Sequence, residues 1–127
     1  MIMKSLVVTA VLAVLAFAAC ESESRRVREV VLPELDFSRV DDGTYTGEAK
    51  YRDILYRVMV RVRDHRIVKL DVVDSEGDEY DQAALGVLER VIEAQSLQVD
   101  AVSEATRSSK LYLVATYRAL THESVEY

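Results

Sequence analysis

The strongest constraint on the fold is a run of alternating apolar and basic residues between positions 56 and 63. Its apolar members are Tyr56, Val58, Val60 and Val62, and its basic members are Arg57, Arg61 and Arg63. A period of two places alternate side chains on opposite faces of an extended chain, which is typical of a strand with one buried face. The sequence therefore predicts a half-buried β-strand here.

Patterns on both sides of this run predict two more strands. A polar tip at 63–66 is followed by an aliphatic run at 67–73, and two such runs around a short polar break are typical of a β-hairpin. Before the run, residues 41–47 combine an Asp-Asp-Gly turn with alternating Thr and Tyr, which indicates the start of a strand. The residues expected to share one face of the third strand are Val68, Leu70 and Val72.

The second half of the chain has the spacing of two helices. Apolar residues recur every three or four positions from Asp81, which is placed to cap a helix, to Gln95, and again from Lys110 to Leu120. We therefore expect an α+β domain, with a small antiparallel sheet of about three strands followed by two helices packed on one face. The expected buried positions of the first helix are Ala84, Leu85, Leu88, Val91, Ile92 and Gln95.

The first 20 residues have the pattern of a secretory signal. Lys4 is followed by an apolar run and by small residues before Cys20. The apolar run is shorter than the roughly 20 residues that a membrane-spanning helix needs. Phe17-Ala-Ala-Cys20 is similar to the lipobox of bacterial lipoproteins, which implies lipidation at Cys20 and a chain anchored in the cell membrane, facing the periplasm or the cell exterior. An ordinary cleaved signal that ends in cysteine is the alternative.

Charge and cysteine content exclude several kinds of function. The formal net charge is −6, which argues against nucleic-acid binding because that function needs a concentrated basic face. Cys20 is the only cysteine, so the sequence offers neither an internal disulfide nor a cysteine-based metal site. His65 and His122 are expected to be solvated. We expect a signal at 1–20, a tether at 21–41, a folded domain at 42–121 and a C-terminal tail at 122–127.

The connection between the two predicted helices carries the chemistry that the rest of the chain lacks. It reads Asp100-Ala-Val-Ser-Glu-Ala-Thr-Arg-Ser-Ser109 and brings Thr106, Ser108 and Ser109 to the start of the second helix. Exposed backbone N–H groups and the positive end of the helix dipole favour a phosphate there. From these residues alone, the simpler interpretation is a hydroxyl cluster that caps the helix.

The order Asp-x-x-Ser-x-Ala-Thr resembles the flavin attachment sequence of the FMN-binding domain family. That family includes the C subunit of Na⁺-translocating NADH:quinone reductase and the G subunit of the Rnf complex. Asp100, Ser103, Ala105 and Thr106 fit the family pattern, and Glu104 stands where the family has glycine. The resemblance extends from Asp42 to Leu120. Its further short matches are Asp42-Gly-Thr-Tyr-Thr-Gly47, Val58 to Ile67 and Ile92-Glu-Ala-Gln-Ser96.

The resemblance implies an electron carrier with FMN as cofactor rather than a stand-alone enzyme. In the family a separate flavin transferase moves FMN from FAD onto the last threonine, so Thr106 is the implied attachment site. Redox partner proteins are implied as well. Covalent FMN, non-covalent FMN and a degenerate flavin-free lipoprotein domain with a structural or interaction role remain open. The implied cofactor-binding residues are Asp100, Ser103, Glu104, Ala105, Thr106 and Ser108.

Glu104 bears most directly on these alternatives. If the family's glycine has a left-handed backbone, a glutamate there costs roughly 1–2 kcal/mol. Its carboxylate also repels a phosphate two residues away, and Arg107 is expected to offset part of this repulsion. Tyr45, Tyr112 and Tyr117 are candidates for stacking on a flavin, although tyrosines at such positions more often belong to the core or its rim.

Overall fold

The sheet and the helices that follow it are seen in a computed structural model, which describes residues 22–75 and 82–127. The chain divides into two units, residues 1–30 with Tyr127 and residues 31–126. In the first unit, residues 22–28 are helical. The predicted signal with Cys20, and the predicted helix cap Asp81, lie outside the described residues.

Three antiparallel strands form the sheet in the order β1-β2-β3. They are β1 (Gly43–Tyr51), β2 (Ile54–Arg63) and β3 (Arg66–Ser75). A two-residue turn joins each pair of neighbouring strands. In the second turn Asp64 and His65 have φ of 52° and 59°, as in the type I′ turns whose twist suits a hairpin. The predicted three-stranded sheet is confirmed.

The alternation in β2 has the predicted consequence. Its four inward-facing apolar side chains are at most 3% exposed, whereas Arg61 and Arg63 on the other face are exposed. The core therefore lies on one side of the sheet, where the helices pack. The buried apolar residues of β2 are Tyr56, Val58, Val60 and Val62.

The face predicted for β3 is wrong at Val68. Val62 of β2 pairs with Ile67, but the preceding β2 residue pairs with Lys69, so Val68 is the extra residue of a β-bulge. Its side chain is 51% exposed, and Ile67 takes the buried position instead. A second register shift leaves Val73 exposed in the same way. Each bulge interrupts the alternation along β3, so a strict period of two assigns Val68 to the wrong face.

The first helix, α1 (Gly86–Ala94), begins later than the position of the predicted cap. Residues 82–83 are helical and 84–85 form a turn, closed by hydrogen bonds between residues three apart. Leu85, predicted to be buried, is 39% exposed. Gln95, predicted on the apolar face, is the C-cap in a left-handed conformation. The residues buried here are Ala84, Val87, Leu88 and Val91.

The second helix, α2 (Thr106–Thr121), is the centre of the core. It begins four residues before Lys110, so the three hydroxyl residues lie in its first turn. The residues from Leu111 to Tyr117 are all buried, because α2 packs on β1 and β2 and also contacts α1. α1 in turn packs on β3. Two helices following the sheet confirm the predicted α+β class.

Part of the predicted tether contributes side chains to the second unit. Leu32, Phe37 and Val40 are buried there, and the Gln98 side chain donates a 2.9 Å hydrogen bond to the Leu32 carbonyl. Asp36 caps the short 3-10 helix Phe37–Arg39 by accepting from the Ser38 N–H. In the described part of the chain, no helix has the length and apolar character needed to cross a membrane.

Candidate functional site

The connection between α1 and α2 is held to its neighbours by side-chain hydrogen bonds. The Gln95 amide accepts from the Ile67 N–H at 2.8 Å and donates to the Ile67 carbonyl at 2.9 Å, much as a neighbouring strand would. Further along, Arg90 of α1 donates to the carbonyls of Asp100 and Ala101 at 2.8 and 3.0 Å. These contacts fix the path of the chain up to the attachment sequence.

A tight turn leads from this connection into α2. The Ala105 N–H donates to the Val102 carbonyl at 3.0 Å, and Glu104, the third residue of the turn, has φ of 67°. A turn closed in this way with positive φ at its third residue is of type II, which favours glycine at that position. Glu104 therefore has the left-handed backbone for which a non-glycine residue costs roughly 1–2 kcal/mol.

The hydroxyl of Ser109 secures this turn from the helix side. Ser109 is fully buried and accepts a 3.1 Å hydrogen bond from the Val102 N–H. Its own N–H donates to the Ala105 carbonyl, which is the first backbone hydrogen bond of α2. Ser108 is also buried, at 3% exposure. Thr106 is therefore the partly exposed hydroxyl of the first turn.

The N-cap residue of α2 provides no side-chain cap. Ala105 occupies the N-cap position and forms no capping hydrogen bond, and alanine is among the least favourable residues there. The three hydroxyl residues therefore follow the N-cap position rather than occupy it. The backbone N–H groups of Thr106 and Arg107 precede the first hydrogen-bonded N–H, that of Ser109. An anion at this end is stabilised by about 0.3–1 kcal/mol when solvent-exposed.

The remaining residues of the predicted set lie on this turn or just before it. Asp100 and Ser103 are exposed, and Ala105 is buried at 4% exposure. The Asp100 carboxylate forms no hydrogen bond within the described residues, and Asp100 is held through its backbone carbonyl instead. The side chains of Asp100 and Ser103 are thus accessible to solvent, and that of Thr106 is partly accessible.

A cluster around Tyr51 adjoins this site and was not predicted. The Arg107 guanidinium carbon lies 4.7 Å from the centroid of the Tyr51 ring, and that of Arg52 lies 5.4 Å from it. The Tyr51 hydroxyl and Nε of Arg107 are buried without a hydrogen-bond partner in the described chain. Sequence spacing gives little signal for this cluster, because Tyr51 and Arg52 belong to the first hairpin and Arg107 to the last helix.

The tyrosines considered for stacking on a flavin have structural partners. Tyr112 is 1% exposed and meets Tyr56 edge to face at 5.2 Å between ring centroids. Tyr45 donates its hydroxyl proton to the Asp41 carbonyl at 2.6 Å. Tyr117, 5% exposed, belongs to the core, as the simpler interpretation has it.

Both histidines are solvent-exposed, as expected, and each also has a contact within the protein. Nδ1 of His65 lies 2.9 Å from the Val40 carbonyl oxygen, which ties the β2–β3 turn to the segment before β1. His122 is the C-cap of α2, with φ of 58°, and its ring centroid is 6.2 Å from that of Tyr45. Across residues 22–75 and 82–127, no group of three His, Cys, Asp or Glu side chains is arranged to hold a metal ion.

Two ionisable groups outside the attachment sequence have shifted pKa values. Burial raises the pKa of Tyr117 above 10.0, and the hydrogen bond to the Glu123 carboxylate at 3.2 Å raises it further. The Ser38 hydroxyl, followed by the Ser38 N–H, lowers the pKa of Asp36 below 3.8. Both shifts follow from local hydrogen bonding and burial.

Comparison with known proteins agrees with the site geometry. The FMN-binding domain family model matches residues 55–121, a range that spans β2, β3, both helices and the attachment sequence. A search of curated proteins gives no match to the chain. The uncapped helix N-terminus, the partly exposed threonine and the adjacent arginine suit the phosphate of FMN. The chain belongs to the FMN-binding domain family, whose cofactor is FMN.

Proposed function

We propose that this chain is a membrane-anchored, extracytoplasmic electron carrier with FMN joined to Thr106 through a phosphoester. The observation that carries the proposal is the position of Thr106, a partly exposed hydroxyl at the uncapped N-terminus of α2. When bound, FMN supplies the redox chemistry, and the chain supplies attachment, orientation and electrostatics. No catalytic base is required of the chain for this role.

Attachment requires a separate enzyme. A threonine hydroxyl is a weak nucleophile at neutral pH and does not attack a pyrophosphate unaided. A flavin transferase would form the bond between Thr106 Oγ1 and the FMN phosphorus and break the pyrophosphate bond of FAD, with AMP leaving and the hydroxyl proton released. The part of this chain is to present the loop. The exposure of Asp100 and Ser103 supports that role.

The charges around Thr106 act in opposite directions on a phosphate. The end of the helix dipole and the Arg107 guanidinium attract it, whereas the Glu104 carboxylate two residues away repels it. At about 6 Å a pair of unit charges interacts by roughly 0.7 kcal/mol in water and about 3 kcal/mol at an effective dielectric constant of 20. Because Glu104 is exposed, the lower value is the better guide. The glutamate therefore weakens the site without abolishing it.

The membrane location rests on the lipobox-like sequence that ends at Cys20. A diacylglycerol on this cysteine supplies two acyl chains, which suffice for stable anchoring. We expect the chain to partition into the detergent phase when made with its N-terminal segment. The Cys20→Ser variant is expected in the aqueous phase, and equal partitioning of the two forms would remove this part of the proposal.

A flavin-free lipoprotein with a structural or interaction role is the second candidate. The observation that favours it is Glu104, a glutamate at a left-handed position where glycine is preferred. Its side chain is also bulkier than the family's glycine and is exposed, so it can obstruct a transferase that approaches the turn. This candidate predicts a chain that is stable without flavin and is not a substrate of the transferase.

Co-expression with a flavin transferase separates the two candidates. The full chain is run on a denaturing gel and examined for flavin fluorescence, with Thr106→Ala as the control. A fluorescent band that is absent from the control supports the carrier. A non-fluorescent chain whose Glu104→Gly variant becomes fluorescent supports the second candidate. Fluorescence that persists in Thr106→Ala would rule out Thr106 as the attachment site.

A further inference from the structure

We propose that Arg52, Arg107 and Tyr51 form an anion subsite beside Thr106, and that this subsite binds the phosphate group of FMN. The inference rests on the proposed function, since Thr106 is the point at which the phosphate is attached. It adds three residues outside the attachment sequence, two of them from the turn between β1 and β2 and its border.

The first argument is the convergence of two cations on one ring. The guanidinium carbons of Arg107 and Arg52 lie 4.7 and 5.4 Å from the Tyr51 centroid, so their separation is at most the sum of these distances. A single arginine over a tyrosine gains from the cation–π attraction. A second arginine on the same ring repels the first. An anion between them removes that repulsion.

The second argument is the lack of acidic partners. Neither Arg52 nor Arg107 forms an ion pair in the part of the chain that the structure describes. Asp53 and Glu104, the acidic residues nearest to them in sequence, are exposed and pair with neither guanidinium. Yet the chain as a whole has 22 acidic against 16 basic side chains. In such a chain, two guanidinium groups that lack a carboxylate partner within residues 22–75 and 82–127 are suited to an anionic ligand.

The third argument is a pair of buried polar atoms without partners. Tyr51 is 2% exposed, and its hydroxyl has no hydrogen-bond partner among the described residues, nor has Nε of Arg107. Leaving a buried donor unsatisfied costs free energy, and native structures contain few such groups. A phosphate has several strong acceptor oxygens and matches the fork of donors on a guanidinium. It therefore satisfies donors that the protein leaves unsatisfied.

The location fits the attachment site. Arg107 directly follows Thr106 in the first turn of α2, where the N-cap residue Ala105 supplies no side-chain cap. Arg52 is the first residue of the two-residue turn between β1 and β2. The subsite thus joins the sheet to the helix terminus, and each side contributes one guanidinium. A phosphate held there is oriented by two separate elements rather than by the flexible ester bond alone.

The test uses the full chain, expressed without flavin transferase and purified in detergent, with inorganic phosphate as the probe. The melting temperature is measured against phosphate concentration, and against chloride at the same ionic strength. We expect phosphate to raise the melting temperature of the wild type more than chloride does. The apparent phosphate Kd should weaken at least tenfold in Arg107→Ala and in Arg52→Ala.

Arg61→Ala is the matched control, because Arg61 is an exposed arginine on the opposite face of the sheet. It should keep the wild-type phosphate dependence. Tyr51→Phe removes only the hydroxyl, so it should weaken phosphate binding without disturbing the ring contacts. If Arg107→Ala lowers the melting temperature equally at all phosphate concentrations, Arg107 only packs on Tyr51 and the proposal of an anion subsite fails. A wild type that responds alike to phosphate and chloride also overturns it.

A second measurement separates this inference from the proposed function. The chain is co-expressed with a flavin transferase, and the ³¹P signal of the attached phosphate is compared between variants. We expect the signal to shift in Arg107→Ala and to stay in place in Arg61→Ala. An unchanged signal in Arg107→Ala overturns the subsite while the attached flavin upholds the carrier. If the wild type carries no flavin, the carrier fails, and the phosphate titration still decides the subsite.

Discussion

The backbone of Gly47 in β1 lies directly against the backbone of Ala115 in α2. A Cβ atom placed on Gly47 would overlap the Ala115 carbonyl oxygen and lie 2.8 Å from Cα of Ala119. The helix approaches the sheet this closely because Gly47 has no side chain. Since α2 begins at Thr106, this contact also sets how the candidate attachment site is positioned over the sheet.

Gly47→Ala is therefore expected to be strongly destabilising. The added methyl group must push apart two backbone segments, and overpacking of this kind costs about 1–3 kcal/mol or more. Urea unfolding followed by circular dichroism measures the loss. Gly86→Ala is the control, because its Cβ would meet only Val102 Cγ2, at 3.4 Å. Equal stability of the two variants would contradict the close approach of Gly47 to α2.

Glu104→Gly should stabilise the fold. Glycine removes the left-handed strain at φ of 67°, worth roughly 1–2 kcal/mol, although part of the gain is lost to the greater entropy of the unfolded chain. Thermal unfolding of the flavin-free chain measures the change. Ser103→Gly, one residue earlier in the same turn and without positive φ, should be neutral or destabilising. A gain in both variants would show that the turn geometry is not the cause.

Gln95→Ala is expected to cost about 1–3 kcal/mol, because the Ile67 N–H and carbonyl then lose a partly buried partner. Gln98→Ala offers a comparison, since its side chain is exposed and water can replace its bond to Leu32. Chemical denaturation of the two variants tests the difference. Hydrogen exchange at Ile67 should also accelerate in Gln95→Ala, and unchanged exchange there would contradict the assigned bond.

Arg61→Glu should stabilise the sheet. Arg61 lies directly opposite Lys69, and like charges in such pairs are unfavourable, whereas opposite charges contribute about 0.2–1 kcal/mol. Arg57→Glu should have the opposite effect, because Arg57 pairs with Glu48 at 3.0 Å. Both differences should shrink in high salt. A gain in Arg61→Glu that salt leaves unchanged would point to a cause other than charge.

The stability of the fold should fall at high pH through Tyr117. Burial, together with Glu123, raises the pKa of Tyr117, so the unfolded chain loses the phenol proton at a lower pH than the folded chain. The free energy of unfolding is unaffected well below the ordinary pKa of 10.0 and declines as pH rises above it. Denaturation across this range measures the slope. Tyr117→Phe should have a smaller slope, and an unchanged slope would exclude Tyr117.

The parts of the fold that follow from local periodicity could be predicted from the sequence. The alternation in β2 gave the buried face of the central strand, and the three- and four-residue spacing gave both helices. The bulge at Val68 could not be predicted, because one extra residue in an apolar run cannot be distinguished in the sequence from a regular strand residue. The start of α2 was also placed too late, since the alanine cap at Ala105 carries no sequence signal of a helix start.

The candidate site likewise has one part that could be predicted from the sequence and one part that could not. The attachment sequence around Thr106 was recognisable because its residues are consecutive. A left-handed backbone at Glu104 was expected if the family's glycine has one, and the structure has it. The arginines and the tyrosine of the proposed anion subsite come from opposite ends of the domain. Their meeting depends on the distance between β1 and α2, which Gly47 permits and which no local pattern records.

The burial of α2 on almost all sides has a consequence for electron transfer. FMN attached at Thr106, as proposed, would be joined to the first residue of the most enclosed element of the unit, and the turn before that residue is secured by Ser109. The point of attachment would then move with the domain and not on a separate flexible segment of the chain. The encounters of the flavin with its electron donor and acceptor would then depend on the diffusion of the whole domain. The distance over which an electron tunnels would depend on the shape of the surfaces that dock.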